Sequence, residues 1–308
     1  MKLSACVEEF LSALVIEQGR SERTRRAYGY DLAMFARHVG DLDAGEVTTF
    51  HVRSFLRELH GRGYGARALA RKVACLRSFF KFLADNGVVR VDPTRSVKSP
   101  RLGNNRRLPK HLTESEVRNL FAKLDRQSWN SRLRVVVRLL YATMIRVSEL
   151  VRLTVGDVDF EAGVVRVLGK GDKERLVPVD PGTLEVVAEY LATEWGVDAR
   201  DPKSRNWPLL PSRGGGHLSP RTIQRDVSRL AARVPSLSGK KVTPHTFRHT
   251  GATHLRNRGM DLSELQDLLG HASPATTRIY ARNDVRRLRA SYLEKHPLHV
   301  SGLDDARP

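Results

Sequence analysis

Apolar residues in the first ninety or so positions recur at helical spacing in four blocks, with polar side chains between them. "VEEFLSALVIEQG" stops at Gly19, and "SERTRRAYGYDLAMFARHVG" opens at Ser21, a good helix cap, and stops at Gly40. "TTFHVRSFLRELHGRG" and "ARALARKVACLRSFFKFLADNG" repeat the pattern, again with glycine as the stop. The spacing predicts four helices packed as a compact bundle, with Arg and Lys scattered over their polar faces. The pattern then breaks. "VDPTRSVKSPRLGNNRRLPKHL" holds Pro93, Pro100 and Pro109, five basic residues from Lys98 to Lys110, and little periodicity, so it reads as an interdomain linker. The expected division is a helical domain over 1–92, a basic linker over 93–110 and a second domain over 111–308.

"TESE", Thr113 to Glu116, is a capping box that opens the second domain, and the apolar run in "LRVVVRLLYAT" predicts a buried helix. The period then changes. "GVVRVLGKGDKERLVPV" has two β-branched runs around a Gly-Lys-Gly-Asp turn, which predicts a hairpin. Helical signals resume afterwards. Ser219-Pro220, Thr243-Pro244 and Ser273-Pro274 each place a capping residue before a proline suited to the first helical position. Asp261 to Glu264 makes a further capping pattern, and Gly259 and Gly270 are candidate stops. The fold class expected is mainly α, with a helical first domain and a mixed, mostly α second domain carrying a small β-sheet or hairpin.

Charge changes this picture. The chain of 308 residues carries 53 Lys and Arg against 34 Asp and Glu, a net charge of +19. Residues 1–110 hold 21 basic and 11 acidic side chains, and residues 111–308 hold 32 and 23. Both parts share the excess, as expected of a protein that grips a polyanion from two sides rather than through a basic tail. Cys6 and Cys75 are the only cysteines and form no metal or redox spacing, so a reducing compartment fits. Glu8 and Glu9 spoil the first apolar stretch as a signal peptide, and no apolar run approaches the roughly 20 residues that span a bilayer. A cytoplasmic protein without membrane partners is expected.

Four short stretches carry candidate chemistry. In "PHTFRH", His245 and Arg248 share a face near a helix N-terminus, an end that favours anions, and the guanidinium fork suits two phosphate oxygens. Zinc binding by His245 and His249 is a poor reading, because the HExxH glutamate is missing and Arg248 would put a cation beside the metal. In "RVSEL", Arg146 and Glu149 are three apart between apolar flanks, so a partly buried Arg146 held by Glu149 is expected. Lys170 lies at the hairpin tip. "GKGDKER" lacks Walker A spacing, but a lysine on such a tip can reach into a DNA groove. In "LGHASPATTRIY", His271 follows a helix stop and Tyr280 comes nine residues later, either as a packing residue or as a nucleophile.

Taken in order and spacing, "RVSEL", "GKGDKERLVP", "PHTFRHTGATHL", "LGH" and Tyr280 resemble the tyrosine recombinase (phage integrase) family, most of all its Xer-type branch. The resemblance implies that Tyr280 is the nucleophile. It implies that Arg146 and Arg248 neutralise the phosphate, that His271 donates a further hydrogen bond, and that His245 takes the tyrosine proton. Lys170 would protonate the leaving 5′ oxygen, and Glu149 would support Arg146 from behind. The product would be a 3′-phosphotyrosine, resolved through a Holliday junction, with no cofactor and no metal. The resemblance further implies a core-binding domain and a catalytic domain closing as a C-shaped clamp on double-stranded DNA core sites. Four protomers would act together, as a homotetramer or with a paralogous recombinase, the tail "DVRRLRASYLEKH" docking on a neighbour. Mobile-element integrases share this chemistry, a type IB topoisomerase uses similar residues, and a DNA-binding protein without catalysis would need only part of the set. Two adjacent positions depart from the family pattern: T-G-L-R is here Thr143-Met144-Ile145-Arg146, and Met144 in place of glycine adds bulk near the first arginine.

Overall fold

The computed structural model of the chain describes residues 1–16, 21–100, 111–126, 131–169, 173–270 and 282–300. The chain divides into two compact units, Met1–Arg106 and Arg107–Pro308.

The first unit holds the four expected helices: α1 (Leu3–Ile16), α2 (Glu22–Val39), α3 (Thr49–Gly61) and α4 (Ala66–Asp85). Ser21 caps α2 by accepting from the Thr24 amide, and Gly40 ends it at φ 77°, a left-handed turn that glycine adopts without steric cost. The Gly19 stop lies outside the described residues. Phe10, Phe35, Phe55, Phe79 and Phe80 fill the core, and burying each contributes about 1.5–3 kcal/mol. One charged pair is sealed inside: Lys72 Nζ donates to Asp31 at 2.6 Å, with both side chains 1–2% exposed.

In the second unit, α5 (Glu114–Arg126) opens with the expected reciprocal cap, Thr113 Oγ1 accepting from the Glu116 amide at 3.2 Å and Glu116 accepting from the Thr113 amide at 2.9 Å. α6 (Ser131–Thr143) is buried at every position from Val135 to Thr143, so it runs through the core rather than along the surface. The short α7 (Val147–Leu150) follows. The chain then forms an antiparallel sheet in the order β1 (Val158–Asp159), β2 (Val164–Leu168), β3 (Glu174–Pro178). The expected hairpin is β2–β3, with Val167 opposite Arg175. The extra strand β1 has only two residues, too few to show a period of two.

Helices α8 (Pro181–Trp195), α9 (Pro220–Ala232), α10 (Pro244–Asn257), α11 (Leu262–Leu269), α12 (Arg282–Lys295) and α13 (Pro297–Val300) complete the unit. Ser219 and Thr243 cap α9 and α10 ahead of their prolines, and Asp261 caps α11 through the Ser263 amide. The Ser273-Pro274 cap lies outside the described residues. His254 of α10 donates from Nε2 to the Leu112 carbonyl at 2.9 Å, which leaves Nδ1 to accept from Tyr141 of α6 at 2.8 Å. These bonds fasten the start of the unit to its two central helices.

Leu288, Tyr292 and Leu298 are buried within this chain's own second unit, and the Tyr292 hydroxyl donates to the Ala142 carbonyl of α6 at 3.1 Å. These apolar positions of the tail are covered by the chain's own second unit. Among the described residues no helix is long and apolar enough to cross a membrane.

Candidate active site

The site is built where α6 ends. Met144 leaves the helix with φ 53°, a left-handed conformation that costs a side-chain-bearing residue on the order of 1–3 kcal/mol. This conformation explains why the family pattern has glycine here. In this chain the cost is offset by packing, for Met144 is fully buried and lies against Gly251 of α10, where an added Cβ would meet Met144 Cγ at 2.8 Å and the Tyr141 carbonyl at 2.5 Å. After the left-handed turn Ile145 goes back into the core, and Arg146, exposed, caps the start of α7.

Glu149 reaches back over that start. Its carboxylate accepts from the Arg146 amide at 2.8 Å and from Arg146 Nη1 at 2.7 Å. Burial is inverted relative to the sequence expectation: the Arg146 side chain is 45% exposed and the Glu149 side chain 6%. A carboxylate so deeply buried needs more than one partner. The second is Arg175 of β3, itself 7% exposed, whose Nη2 and Nη1 donate to Glu149 at 2.8 and 3.3 Å. Burial pushes the Glu149 carboxyl up, but hydrogen bonds and charge from Arg175 and Arg146 outweigh it, and the carboxyl lies below the ordinary glutamate range.

Arg248 comes to the same place from the first turn and a half of α10. Its side chain is buried, with Nη1 donating to the Met144 carbonyl at 2.5 Å and Nη2 to the Leu269 carbonyl at 2.7 Å. Burial, then the positive charge of Arg146, bring its pKa down to about 10, which still leaves it protonated at neutral pH. Two guanidinium groups, those of Arg146 and Arg175, therefore hold one carboxylate, Arg248 lies close enough to feel the charges of Glu149 and Arg146, and the excess positive charge faces solvent through Arg146. His245, three residues before Arg248, is exposed on α10 and lines a groove of about 330 Å³ with Arg248, His249, Ala252, Leu265 and Leu269.

Arg146, Glu149, Arg248 and His245 are thus brought to one region. Lys170, His271 and Tyr280 lie outside the described residues, but the backbone on either side is described. The Gly169 amide donates to the Lys173 carbonyl at 2.8 Å, closing the hairpin just before Lys170. Gly270 caps α11 at φ 62° immediately before His271. Among the described residues no cluster of His, Cys, Asp or Glu is suited to hold a metal.

Arg175 was not singled out by the sequence reading. The signal lies in the alternation of "ERLVP", where Arg175 and Val177 are buried while Leu176 between them is only half-buried. An arginine in the core-facing register of a strand needs a buried anion, and Glu149 supplies it.

Comparison with known proteins bears on both units. The profile described as phage integrase family matches residues 110–287, and that described as phage integrase, N-terminal SAM-like domain, matches residues 7–87. The chain is 35% identical over 294 residues to a tyrosine recombinase XerC of Thermodesulfovibrio yellowstonii, covering 95% of this chain and 96% of the relative. It is 35% identical to a tyrosine recombinase XerD of Proteus mirabilis, covering 94% and 92%. Among solved structures, the Tn1549 transposon integrase in complex with circular intermediate DNA shares the fold with a TM-score of 0.71 at 18% identity, covering 92% of this chain and 98% of that one. A lambda integrase tetramer bound to a Holliday junction does so with a TM-score of 0.67 at 19% identity, covering 91% and 80%.

Proposed function

The chain belongs to the phage integrase family of tyrosine recombinases, and from that premise we propose which of its residues carry out Xer-like, site-specific recombination, and on what substrate. The substrate is double-stranded DNA at short core sites. Residues 1–92 act as the core-binding domain, 93–110 as the basic linker and 111–308 as the catalytic domain. The proteins it resembles include one solved as a dimer on a core site and one as a tetramer on a Holliday junction, which supports an assembly of four protomers, alike or paired with a paralogue. The net charge of +19, shared by both parts of the chain, supports the same substrate.

The observation that carries the assignment is the guanidinium cluster around Glu149. A phosphodiester repels nucleophiles, and its transition state gathers negative charge on the non-bridging oxygens. Arg146, exposed and held by Glu149, and Arg248, locked between the Met144 and Leu269 carbonyls, are pre-organised cations for those oxygens. In the proposed step the Tyr280 hydroxyl attacks phosphorus and His245 accepts its proton, which is required because a free phenol has a pKa of about 10. The bond from phosphorus to the 5′ oxygen breaks, Lys170 protonates that oxygen, and His271 donates a hydrogen bond to the phosphate. The 3′-phosphotyrosine conserves the bond energy, so the 5′-hydroxyl of another strand can attack it and release Tyr280. No oxidation or reduction occurs, and none of the steps calls for a cofactor. The likeness to Xer recombinases over more than nine-tenths of the chain favours a resolving role in the cytoplasm over mobile-element integration.

A 5′-phosphorothiolate at the scissile bond tests this division of roles, because sulfur leaves without a proton. Lys170→Ala should lose roughly 10²–10⁴-fold in cleavage on ordinary DNA and recover on the sulfur substrate. Arg146→Ala and Arg248→Ala should stay impaired on both. Equal recovery of all three variants, or none for Lys170→Ala, would take Lys170 out of the acid role.

A further inference from the structure

Arg175 is a buried cation beside the site to which the catalytic scheme gives no task. It is the second residue of β3, in the register position opposite Val167, which is one residue before the end of β2, the strand that leads to Lys170. Its guanidinium makes contacts with three separate elements. Nη1 and Nη2 grip Glu149 of α7. Nε donates to the Leu268 carbonyl in the last turn of α11 at 3.1 Å. Gly270, the left-handed cap of that helix, passes directly over it: a Cβ there would lie 3.1 Å from Cζ, Nε and Nη1 of Arg175.

We propose that Arg175 is the positioning residue of this site, tying Arg146 by way of Glu149 to the C-terminal end of α11. The reading rests on the family chemistry assigned above. The physical reason is directional. Glu149 carries two oxygens, and each takes one hydrogen bond from Arg146 and one from Arg175. Arg175 therefore fixes the plane of the carboxylate, and the carboxylate fixes the exposed guanidinium of Arg146. The same planar fork holds the Leu268 carbonyl while Arg248 holds that of Leu269, so two cations occupy the negative end of the α11 dipole. The α11 end, α7 and the strand pair that carries Lys170 are thereby referred to one rigid group. A lysine could balance the charge of Glu149 but, as a single point donor, could not also hold its plane and the Leu268 carbonyl.

The test uses the full chain on a nicked duplex that traps the covalent adduct, with DNA at saturation and affinity measured separately. Arg175→Lys should slow adduct formation by roughly 10²-fold, as expected when a catalytic group is misplaced by about 1 Å, with DNA affinity changed less than about threefold. Placed on an Arg146→Ala background, the same substitution should cost only a few-fold more, because its target is already gone. Equal losses on both backgrounds would overturn the proposal, as would a wild-type rate or a defect confined to DNA affinity. An unfolded Arg175→Lys chain would overturn it too, since that residue would then be structural. The wild-type chain is the control for the underlying reading: if it forms no adduct, the recombinase assignment of the site fails, whereas a normal Arg175→Lys rate beside an active wild type defeats this inference alone.

Discussion

Arg248 donates to the backbone carbonyl of Met144, the residue whose left-handed turn delivers Arg146 to the surface, so one of the two arginines proposed to bind the phosphate helps hold the turn that presents the other. Met144 stands where the family pattern has glycine, and the two choices trade backbone strain against packing. Met144→Gly would relieve about 1–3 kcal/mol of strain but empty a fully buried site, and large-to-small changes of this kind cost about 2–5 kcal/mol. The net effect expected is a loss of stability of about 1–3 kcal/mol by chemical denaturation, with cleavage of saturating DNA retained. A more stable variant would mean that Met144 contributes no packing.

Gly251→Ala should be worse. The new methyl would overlap both the Tyr141 carbonyl and Met144 Cγ, and the carbonyl belongs to a buried helix that cannot give way. A loss of about 3 kcal/mol or more, at the upper end for overpacking, is expected, and pairing it with Met144→Gly should recover only part of it. Thermal unfolding of the three variants checks the order.

Asp31→Ala leaves the Lys72 ammonium buried without its carboxylate. Removing one partner of such a pair costs about 3–5 kcal/mol, so the first unit should unfold at clearly lower urea concentration. Asp31→Leu combined with Lys72→Met should be less damaging than Asp31→Ala alone. If the single variant is no weaker than the double, the pair is not acting as a buried ion pair.

His296 gives the second unit a pH dependence. It is fully buried and stacked on Tyr292, and burial pushes its pKa from 6.5 down to about 3. The unfolded chain therefore binds a proton below pH 6.5 that the folded chain refuses until about pH 3. Stability should fall as pH drops through that window, by about 1.4 kcal/mol per pH unit for this one group. His296→Phe should flatten the acid side of the stability profile by that slope. An unchanged slope would assign the acid sensitivity to other groups.

Helix positions were the most legible part of the sequence. Ser21, Thr113, Ser219 and Thr243 mark starts through local hydrogen bonds that need no tertiary information. The pairing of Arg146 with Glu149 was legible for the same reason, since three residues separate them on one turn. Their relative burial was not, because it depends on Arg175, 26 residues further along and on a strand. Strand β1 was hidden by its length. The fate of the tail was hidden too: its apolar spacing shows that a face must be covered, but not that Tyr292 finds its cover on α6 of the same chain.

DNA affinity should fall steeply with salt. The slope of log K against log salt is expected to be roughly −0.9 per neutralised phosphate, with several phosphates contacted by each of the two basic parts of the chain. Residues 1–110 and 111–308, prepared separately, should each show a shallower slope than the whole. A slope carried entirely by one part would remove the other from the DNA interface.

Covalent capture of DNA by Tyr280 is the central claim, and a nicked duplex whose cut strand cannot be rejoined measures it directly. The account predicts that the wild-type chain accumulates a protein–DNA adduct, with the 3′ phosphate mapped to the peptide containing Tyr280, and that Tyr280→Phe binds the same duplex with unchanged affinity and forms no adduct. An adduct formed by Tyr280→Phe at the wild-type rate would contradict it.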